Sequence, residues 1–429
     1  MPVRPEAQTV APGPATILFM PLAKTLGWLL LVSVFAALPQ PNNSAVPAVP
    51  DFAGLGREIV EVVRQSFYDP QKAARWATAN AGYADGVTDP AVFHQATRER
   101  LARLGASHTQ YYTPEDVGYY ELLALFERVL KRPAEYDGIG ADLVEREGGW
   151  FVARTFPGSP AERAGLKRGD RIATADGSPF GPRRSFAGRA GKESVLGVER
   201  RRGEPLVSLR VTPRRVQPQK EWLAAQRAAT RVLDFAGHRI AYALLWVCGG
   251  DEPQPLLAEA LAGPLAGAEA LVLDFRGGFG GCDTSFVNLF NPTVPELTTI
   301  DREGRRTSYA ESWRKPLVLL IDGGTRSGKE VVARAVQRHH LGTLLGERTA
   351  GAVVAGRPFV LTDGSLLYLA ASDVSVDGER LEGKGVDPDV PVAAELPYAE
   401  GRDPQLQKAL QVAAGASAAR RPGERDAVP

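Results

Sequence analysis

Cysteine, methionine and histidine are scarce: 429 residues hold two, two and five of them. Cys248 and Cys282 are too few for a disulfide framework or a zinc cluster; one bridge between them is left open, and they do not fix a redox compartment. Charge of one sign is lacking too, with 51 Lys plus Arg against 50 Asp plus Glu, so nothing in the balance argues for a nucleic-acid partner. The apolar run Thr25 to Leu38, TLGWLLLVSVFAAL, is too short for a comfortable membrane span. The glycine-rich stretch Arg276-Gly277-Gly278-Phe279-Gly280-Gly281 lacks the Lys-Ser/Thr ending of a P-loop and the spacing of a dinucleotide fingerprint, which discounts a phosphate cradle. What remains is ordinary for a soluble globular protein, 44% hydrophobic and 24% charged, with length for two or three domains.

Thr25 to Leu38 follows Lys24 and precedes the Pro-rich PQPNNSAVPAVP, the pattern of a secretory signal. The stretch before it is long for such a signal, and a start at Met20 gives a conventional one. Phe35-Ala36-Ala37 is not a clean small-x-small cleavage site, so an uncleaved membrane anchor is the alternative. Export is expected either way, to the periplasm, the medium or the membrane surface.

Residues 1–50 are thus read as signal or anchor plus linker. From 51 to 135 helical spacing dominates, in FAGLGREIVEVVRQSF, DPQKAARWATANA and PAVFHQATRERLARL, with Asp or Pro near each start, and a small bundle is expected. The pattern stops at Leu104 to Tyr112, where polar residues gather around His108. A lone loop histidine is usually just a surface residue. His94, His339 and His340 fall on predicted helices, and His238 adjoins a predicted strand.

Beyond Gln217 strands and helices alternate, the signature of α/β architecture. Arg239 to Cys248 and Ala270 to Phe275 read as strands, and the second runs into the glycine turn, where backbone can approach a substrate. In Lys315 to His340 the run Leu317 to Ile321 reads as a buried strand, Gly323-Gly324 breaks it, and Arg326 to Gln337 has helical spacing. Ser327 stands where that helix begins. Taken alone it is best read as an N-cap. A serine there is also presented beside free N–H groups, and that of Gly328 is placed to stabilise an oxyanion. The chain from about Ala399 to 429 reads as a helix followed by a polar tail, with Arg420-Arg421 a solvated end.

Residues 136–216 contain Thr155-Phe156-Pro157-Gly158-Ser159-Pro160-Ala161-Glu162-Arg163-Ala164-Gly165-Leu166, followed by Lys167-Arg168-Gly169-Asp170. This stretch strongly resembles a PDZ domain. The resemblance implies a loop, here Gly138, Ile139 and Gly140, whose N–H groups receive a peptide carboxylate while the peptide adds to a sheet edge. A domain that only packs is the bland alternative.

Taken in order, the Ser-His-Thr loop, the PDZ stretch, the Asp-x-Arg-x-x-x-Gly-Gly turn, Gly-Gly-Thr-x-Ser, Gly-Glu-Arg-Thr and Gly-Val-x-Pro-Asp resemble the carboxy-terminal processing peptidase family, which includes tail-specific proteases and the tricorn core protease. The resemblance covers about Asp51 to Val392. It implies an α/β multidomain chain: an N-terminal helical bundle, a PDZ domain, and then, over 217–398, an α/β peptidase core of the ClpP/crotonase-like type.

One departure selects a branch. The processing branch pairs its serine with a lysine at the place of Ala352, so that dyad is absent here. The tricorn-like branch uses a histidine before the PDZ domain, oriented by the preceding serine, with a glutamate before Gly-Val-x-Pro-Asp; Ser107, His108 and Glu382 match. Gly278 replaces a frequent asparagine and leaves the shape of the turn open.

A serine hydroxyl needs an adjacent base, and imidazole is suited to the task. The expected roles are Ser327 as nucleophile, His108 as base, Glu382 and Ser107 as its support, and Gly328 with Gly280 or Gly281 as oxyanion donors. Lys329 is the rival base, disfavoured because side chains at i and i+2 of a helix point apart. The expected activity is a serine endopeptidase acting on protein or peptide tails without a metal or organic cofactor. The alternatives are an inactive peptide- or ligand-binding protein on the same scaffold, which Ala352 would suit, and an esterase.

Overall fold

The computed structural model describes residues 51–310 and 312–419. Three helices open it, α1 (Phe52–Ser66), α2 (Pro70–Ala79) and α3 (Pro90–Ala102). Each starts where the sequence says it should. Asp51, Asp69 and Asp89 accept from N–H groups of the first turns, and Pro70 and Pro90 occupy first helical positions whose N–H needs no partner. Strand β1 (Gln110–Tyr112), α4 (Val117–Leu125) and the short α5 (Glu127–Leu130) follow.

Next come β2 (Tyr136–Gly138), β3 (Ala141–Arg146), β4 (Gly149–Thr155), α6 (Pro160–Arg163), β5 (Arg171–Ala175), β6 (Ser178–Pro179), β7 (Ser194–Glu199), β8 (Val207–Val211) and β9 (Arg214–Val216). Their sheet has the order β3-β4-β5-β7-β8, with β6 beside β5, and β3 lies at its edge. The pair β2–β9 sets Tyr136 opposite Val216, so the chain leaves this unit beside its point of entry. Ile139, Phe186, Leu196 and Val198 fill the interior.

The remainder is α7 (Pro218–Ala229), β10 (Arg231–Phe235), β11 (His238–Leu244), α8 (Pro253–Ala262), β12 (Ala270–Asp274), β13 (Glu296–Ile300), β14 (Arg306–Ala310), β15 (Leu317–Ile321), α9 (Gly328–Arg338), β16 (Thr343–Gly346), β17 (Ala355–Val360), β18 (Leu366–Ser372), β19 (Val390–Pro391) and α10 (Pro404–Ala419). The main sheet runs β10-β11-β12-β15-β16-β19. From β11 to β19 it is parallel, and every residue of β12 and β15 is buried, as an apolar run covered on both faces requires. Leu271, Leu273, Leu319 and Ile321 share one cluster with Leu257, Val332 and Val336 of α8 and α9; Val272, Val318 and Leu320 share another with Ala409 and Ala413 of α10.

Two features exceed the expectation. The apolar faces of α1–α3 meet one another and also bury Leu367 and Leu369 of β18, while β1 pairs with β18, so the helical region is joined to the core. The helix expected after Ala399 is α10, and beyond the expectation its alanines let it lie close against the sheet. The run Thr25–Leu38 and Arg420-Arg421 lie outside the described residues. Among the described residues no helix is long and apolar enough to cross a membrane.

Candidate active site

Register places Asp274 at the end of β12 opposite Leu320 near the end of β15, so the turns following these parallel strands are neighbours at the carboxyl edge of the sheet. Loops at that edge commonly carry ligand sites. Asp322 ties the turns together: Oδ1 accepts from the N–H groups of Gly277, Gly324 and Thr325, each at 2.9 Å.

Ser327 ends the second turn with φ +58° and ψ −132°, outside the β region that an ordinary N-cap adopts. Such a conformation costs on the order of 1–3 kcal/mol for a residue with a side chain. Its N–H holds it there, donating to the Ala352 carbonyl at 2.8 Å and to Glu330 Oε2 at 3.1 Å. Glu330 is wholly buried and also accepts from the N–H groups of Gly351, at 2.7 Å, and Ala352, at 2.8 Å.

The glycine turn lies directly against this point. A Cβ on Gly280 would fall 2.6 Å from both the Ser327 Cβ and the Gly328 nitrogen, and one on Gly328 would fall 2.4 Å from the Cys282 carbonyl oxygen, so only glycine fits at either place. Among the described residues the N–H groups of Gly280, Gly281 and Gly328 have no acceptor. The Gly280 carbonyl faces the other way and accepts from Cys248 and Gly249.

Glu382, Ser107 and His108 come together although 275 positions separate the first two. The Ser107 N–H donates to Glu382 Oε1 at 2.7 Å and its hydroxyl to Oε2 at 2.9 Å. That hydroxyl also lies 2.9 Å from His108 Nδ1. Its single hydrogen is engaged with the carboxylate, so it accepts from Nδ1–H, and the tautomer this assigns leaves Nε2 bare. Oε2 of Glu382 also takes the Val353 N–H at 2.7 Å and the Val354 N–H at 3.2 Å. Ala352 to Val354 therefore bridges the serine turn and the histidine loop. Burial raises the Glu382 pKa, but the hydrogen bonds from Ser107, Val353 and Val354 hold it below the usual value. Burial pushes the His108 imidazole down to about 4, Arg326 adds to that, and Glu382 opposes it. His108 also has a positive φ, +55°. Among the described residues no hydrogen bond joins the Ser327 hydroxyl to His108.

Comparison with known proteins bears on these turns. Residues 253–392 match the sequence family described as Peptidase family S41, and residues 128–184 match the PDZ domain. The first match falls within the α/β part and the second begins in the helical region and covers the start of the unit that precedes it. It is 30% identical over 401 residues to tricorn protease homolog 2 of Streptomyces coelicolor, covering 83% of this chain and 32% of that protein. To the carboxy-terminal processing protease CtpA of Bacillus subtilis it is 26% identical over 294 residues, 62% of this chain and 59% of the relative. It thus spans less than two thirds of either. Among solved structures, the photosystem II D1 C-terminal processing protease aligns with TM-score 0.50 and 24% identity over 85% of this chain and 98% of its own. Tricorn protease aligns with TM-score 0.52 and 18% identity over 86% of this chain and 37% of its own. These two share the fold, and the family resemblance read from the motifs holds.

Within the matched stretch 253–392, Lys329 is fully buried, and Nζ donates to the carbonyls of Trp246 at 3.0 Å, Phe275 at 3.3 Å and Gly277 at 2.9 Å. Burial, and then Arg154, lower its pKa to about 7. These three bonds to the backbone around the glycine turn take up all three ammonium hydrogens. Cys248 and Cys282 form a disulfide, which closes the question left by the sequence. It joins the segment after β11 to the end of the glycine turn. Gly278 has φ +65°, and a Cβ there would lie 2.0 Å from the Trp246 carbonyl oxygen, so the asparagine frequent in the family would not fit this turn.

Gly138 ends β2, Ile139 is buried, and Gly140 turns with φ +70°. A Cβ on Gly140 would meet Ser159 at 2.6 Å and Glu221 Oε1 at 2.7 Å, so the loop already has a carboxylate beside it. The outer edge of β3 has no strand partner among the described residues. Glu330 and Asp322 are the parts the sequence reading missed, and the disulfide is one it left open. For Glu330 the signal was present, since Ser-x-x-Glu at a helix start is capping-box spacing. For Asp322 nothing local announced that it would bind a turn 45 positions away.

Proposed function

We propose that the chain is a serine endopeptidase working through an acyl-enzyme, with the unit over 136–216 helping to select protein or peptide substrates by their C-termini. The observation that supports the reading is the chain of hydrogen bonds Glu382–Ser107–His108, which leaves Nε2 free to take a proton and is tied to the Ser327 turn through Ala352 to Val354. Ser327 Oγ attacks the substrate carbonyl carbon while its proton passes to His108 Nε2. The oxyanion is met by the free N–H groups of Gly328 and of Gly280 or Gly281. Collapse breaks the C–N bond, and His108 returns the proton to the leaving amine. Water then attacks the ester, again losing a proton to His108, which protonates Ser327 as the carboxylic product departs. Apo geometry without a Ser–His hydrogen bond is compatible with this, because such bonds often form only with substrate present.

His108 is preferred to Lys329 as base because all three ammonium hydrogens of Lys329 are engaged by carbonyls, and Ala352 supplies no side chain for the Ser-Lys alternative. Free N–H groups at Ile139 and the open edge of β3 support peptide-tail capture by strand addition. The flanks of Thr25 to Leu38 support export, with that segment a cleaved signal or a tether.

Labelling with a fluorophosphonate probe tests the reading. Wild type is expected to label, Ser327→Ala and His108→Ala to fail, and Lys329→Ala to label. Folded wild-type protein that stays unlabelled would put the binding-protein alternative ahead.

A further inference from the structure

The loop of Gly138, Ile139 and Gly140 has donors to offer. The carbonyls of Ile139 and Gly140 accept from the N–H groups of Ala161 at 2.8 Å and Phe156 at 3.0 Å, which fixes the loop against α6 and the end of β4. Among the described residues the N–H groups of Ile139 and Gly140 themselves have no acceptor. Free backbone N–H groups in a turn suit an anion.

Glu221, in the first turn of α7, stands at this loop. A Cβ on Gly140 would fall 2.7 Å from Glu221 Oε1, so the missing side chain is what admits the carboxylate. That oxygen accepts from Arg214 at 2.6 Å, and Arg214 is opposite Gly138 in the β2–β9 register. Cation and carboxylate therefore flank the loop from β9 and α7. Arg215 serves another group: it lies 2.9 Å from Asp137 on the other face of the ribbon, since successive side chains of a strand alternate.

An acid in the first turn of a helix needs no special reason, because the helix dipole favours it. Burial sets this one apart. Glu221 is 9% exposed, yet among the described residues Arg214 is the only hydrogen-bond donor to its carboxylate, which has room for about four. The carboxylate is held by one cation and leaves the free N–H groups beside it unused.

We propose that Glu221 is an internal competitor of the substrate's terminal carboxylate: in the free chain it occupies the approach to the loop, and a peptide tail binds by displacing it. The assignment rests on the tail-capture reading. Two carboxylates brought together in a partly dry loop repel, so the arriving tail and Glu221 exclude each other. Once Glu221 swings out, Arg214 is free to meet the charge of the tail while the loop N–H groups meet its oxygens. The contact weakens capture of every tail and sets a threshold that is passed by tails pairing well along the open edge of β3.

Peptide binding to the full chain carrying Ser327→Ala, which prevents turnover, tests this. The probes are fluorescent peptides of varied sequence, each made with a free C-terminal carboxylate and again as the amide, and the readout is the carboxylate-to-amide affinity ratio from anisotropy. Glu221→Gln keeps the side chain's size and removes its charge, and should raise that ratio about tenfold or more, since like charges set side by side are costly. Arg214→Gln should lower it. A pair that only fastens α7 to β9 would shift both peptide forms together in either variant. That outcome, or a parent that prefers carboxylates with a ratio unchanged by Glu221→Gln, overturns the competitor and leaves tail capture standing. If neither the parent nor Glu221→Gln, shown to be folded, prefers the carboxylate form of any peptide, the tail-capture reading fails, and the competitor with it.

Discussion

The Ser107 hydroxyl stands between the Glu382 carboxylate and the His108 ring, 2.9 Å from each, so the charge reaches the imidazole through an intervening serine. Ser107→Ala should cut that path while leaving histidine in place. The expected result is a fall in kcat/KM of about 10–100-fold, smaller than the loss of 10²–10⁴-fold expected for His108→Ala, since general-base catalysis is worth about that range. Loss confined to KM with kcat unchanged would count against the relay. Glu382→Gln should resemble Ser107→Ala in rate.

Acid should affect the site through His108. Its folded pKa of about 4 lies below the ordinary 6.5, so the unfolded chain binds this proton more readily. Stability from this group is therefore complete above 6.5 and lost as pH falls toward 4, and labelling of Ser327 should fall along a limb centred near 4. Burial raises Glu121 to about 7 and Asp142 to about 6, giving the opposite slope, with stability falling as pH rises through these values. Thermal unfolding of Glu121→Gln across pH 5 to 8 should show a flatter profile than wild type.

Lys329 is expected to act by holding the glycine turn. Lys329→Met removes the donor shared by the carbonyls of Trp246, Phe275 and Gly277, and a buried group left unpaired costs about 1–3 kcal/mol. Denaturant titration should show a loss of that order. Labelling should persist at a reduced rate; abolition in a variant shown to be folded would return Lys329 to candidacy as the base.

The disulfide closes a separation of 34 positions, for which chain entropy gives about 2–4 kcal/mol. Reduction, or Cys248→Ser with Cys282→Ser, should lower Tm by a corresponding amount. Because Gly328 packs on the backbone of Cys282, the acylation rate should fall as well. Unchanged Tm with and without reductant would mean that the bridge is not holding the turn.

Local signals explain what the sequence made legible. Leu317 to Ile321 was readable as a buried strand because all five residues are apolar and two glycines follow, and α1–α3 because Asp caps and first-turn prolines mark their starts. The spatial company of Ser107, His108 and Glu382 was legible only through family resemblance, since no periodicity links positions so far apart. What stayed hidden was tertiary. Lys329 reads as a rival base until three carbonyls are seen around it, and the packing of α10 shows only when Ala409 and Ala413 are found against the sheet. The Gly140 loop reads as open until Glu221 is seen beside it.

The order in which the chain leaves the ribosome gives one contact a further meaning. Arg276, which opens the glycine turn, is held by Asp274 beside it and by Asp403, both of whose carboxylate oxygens it reaches at 2.8 Å. A nascent polypeptide emerged as far as Val392 already contains Ser107, His108, Ser327 and Glu382, yet its Arg276 lacks that second partner and its sheet lacks the cover of α10. The glycine turn thus gains its full set of contacts only with a late segment, after nearly all of the core beneath it has been synthesised.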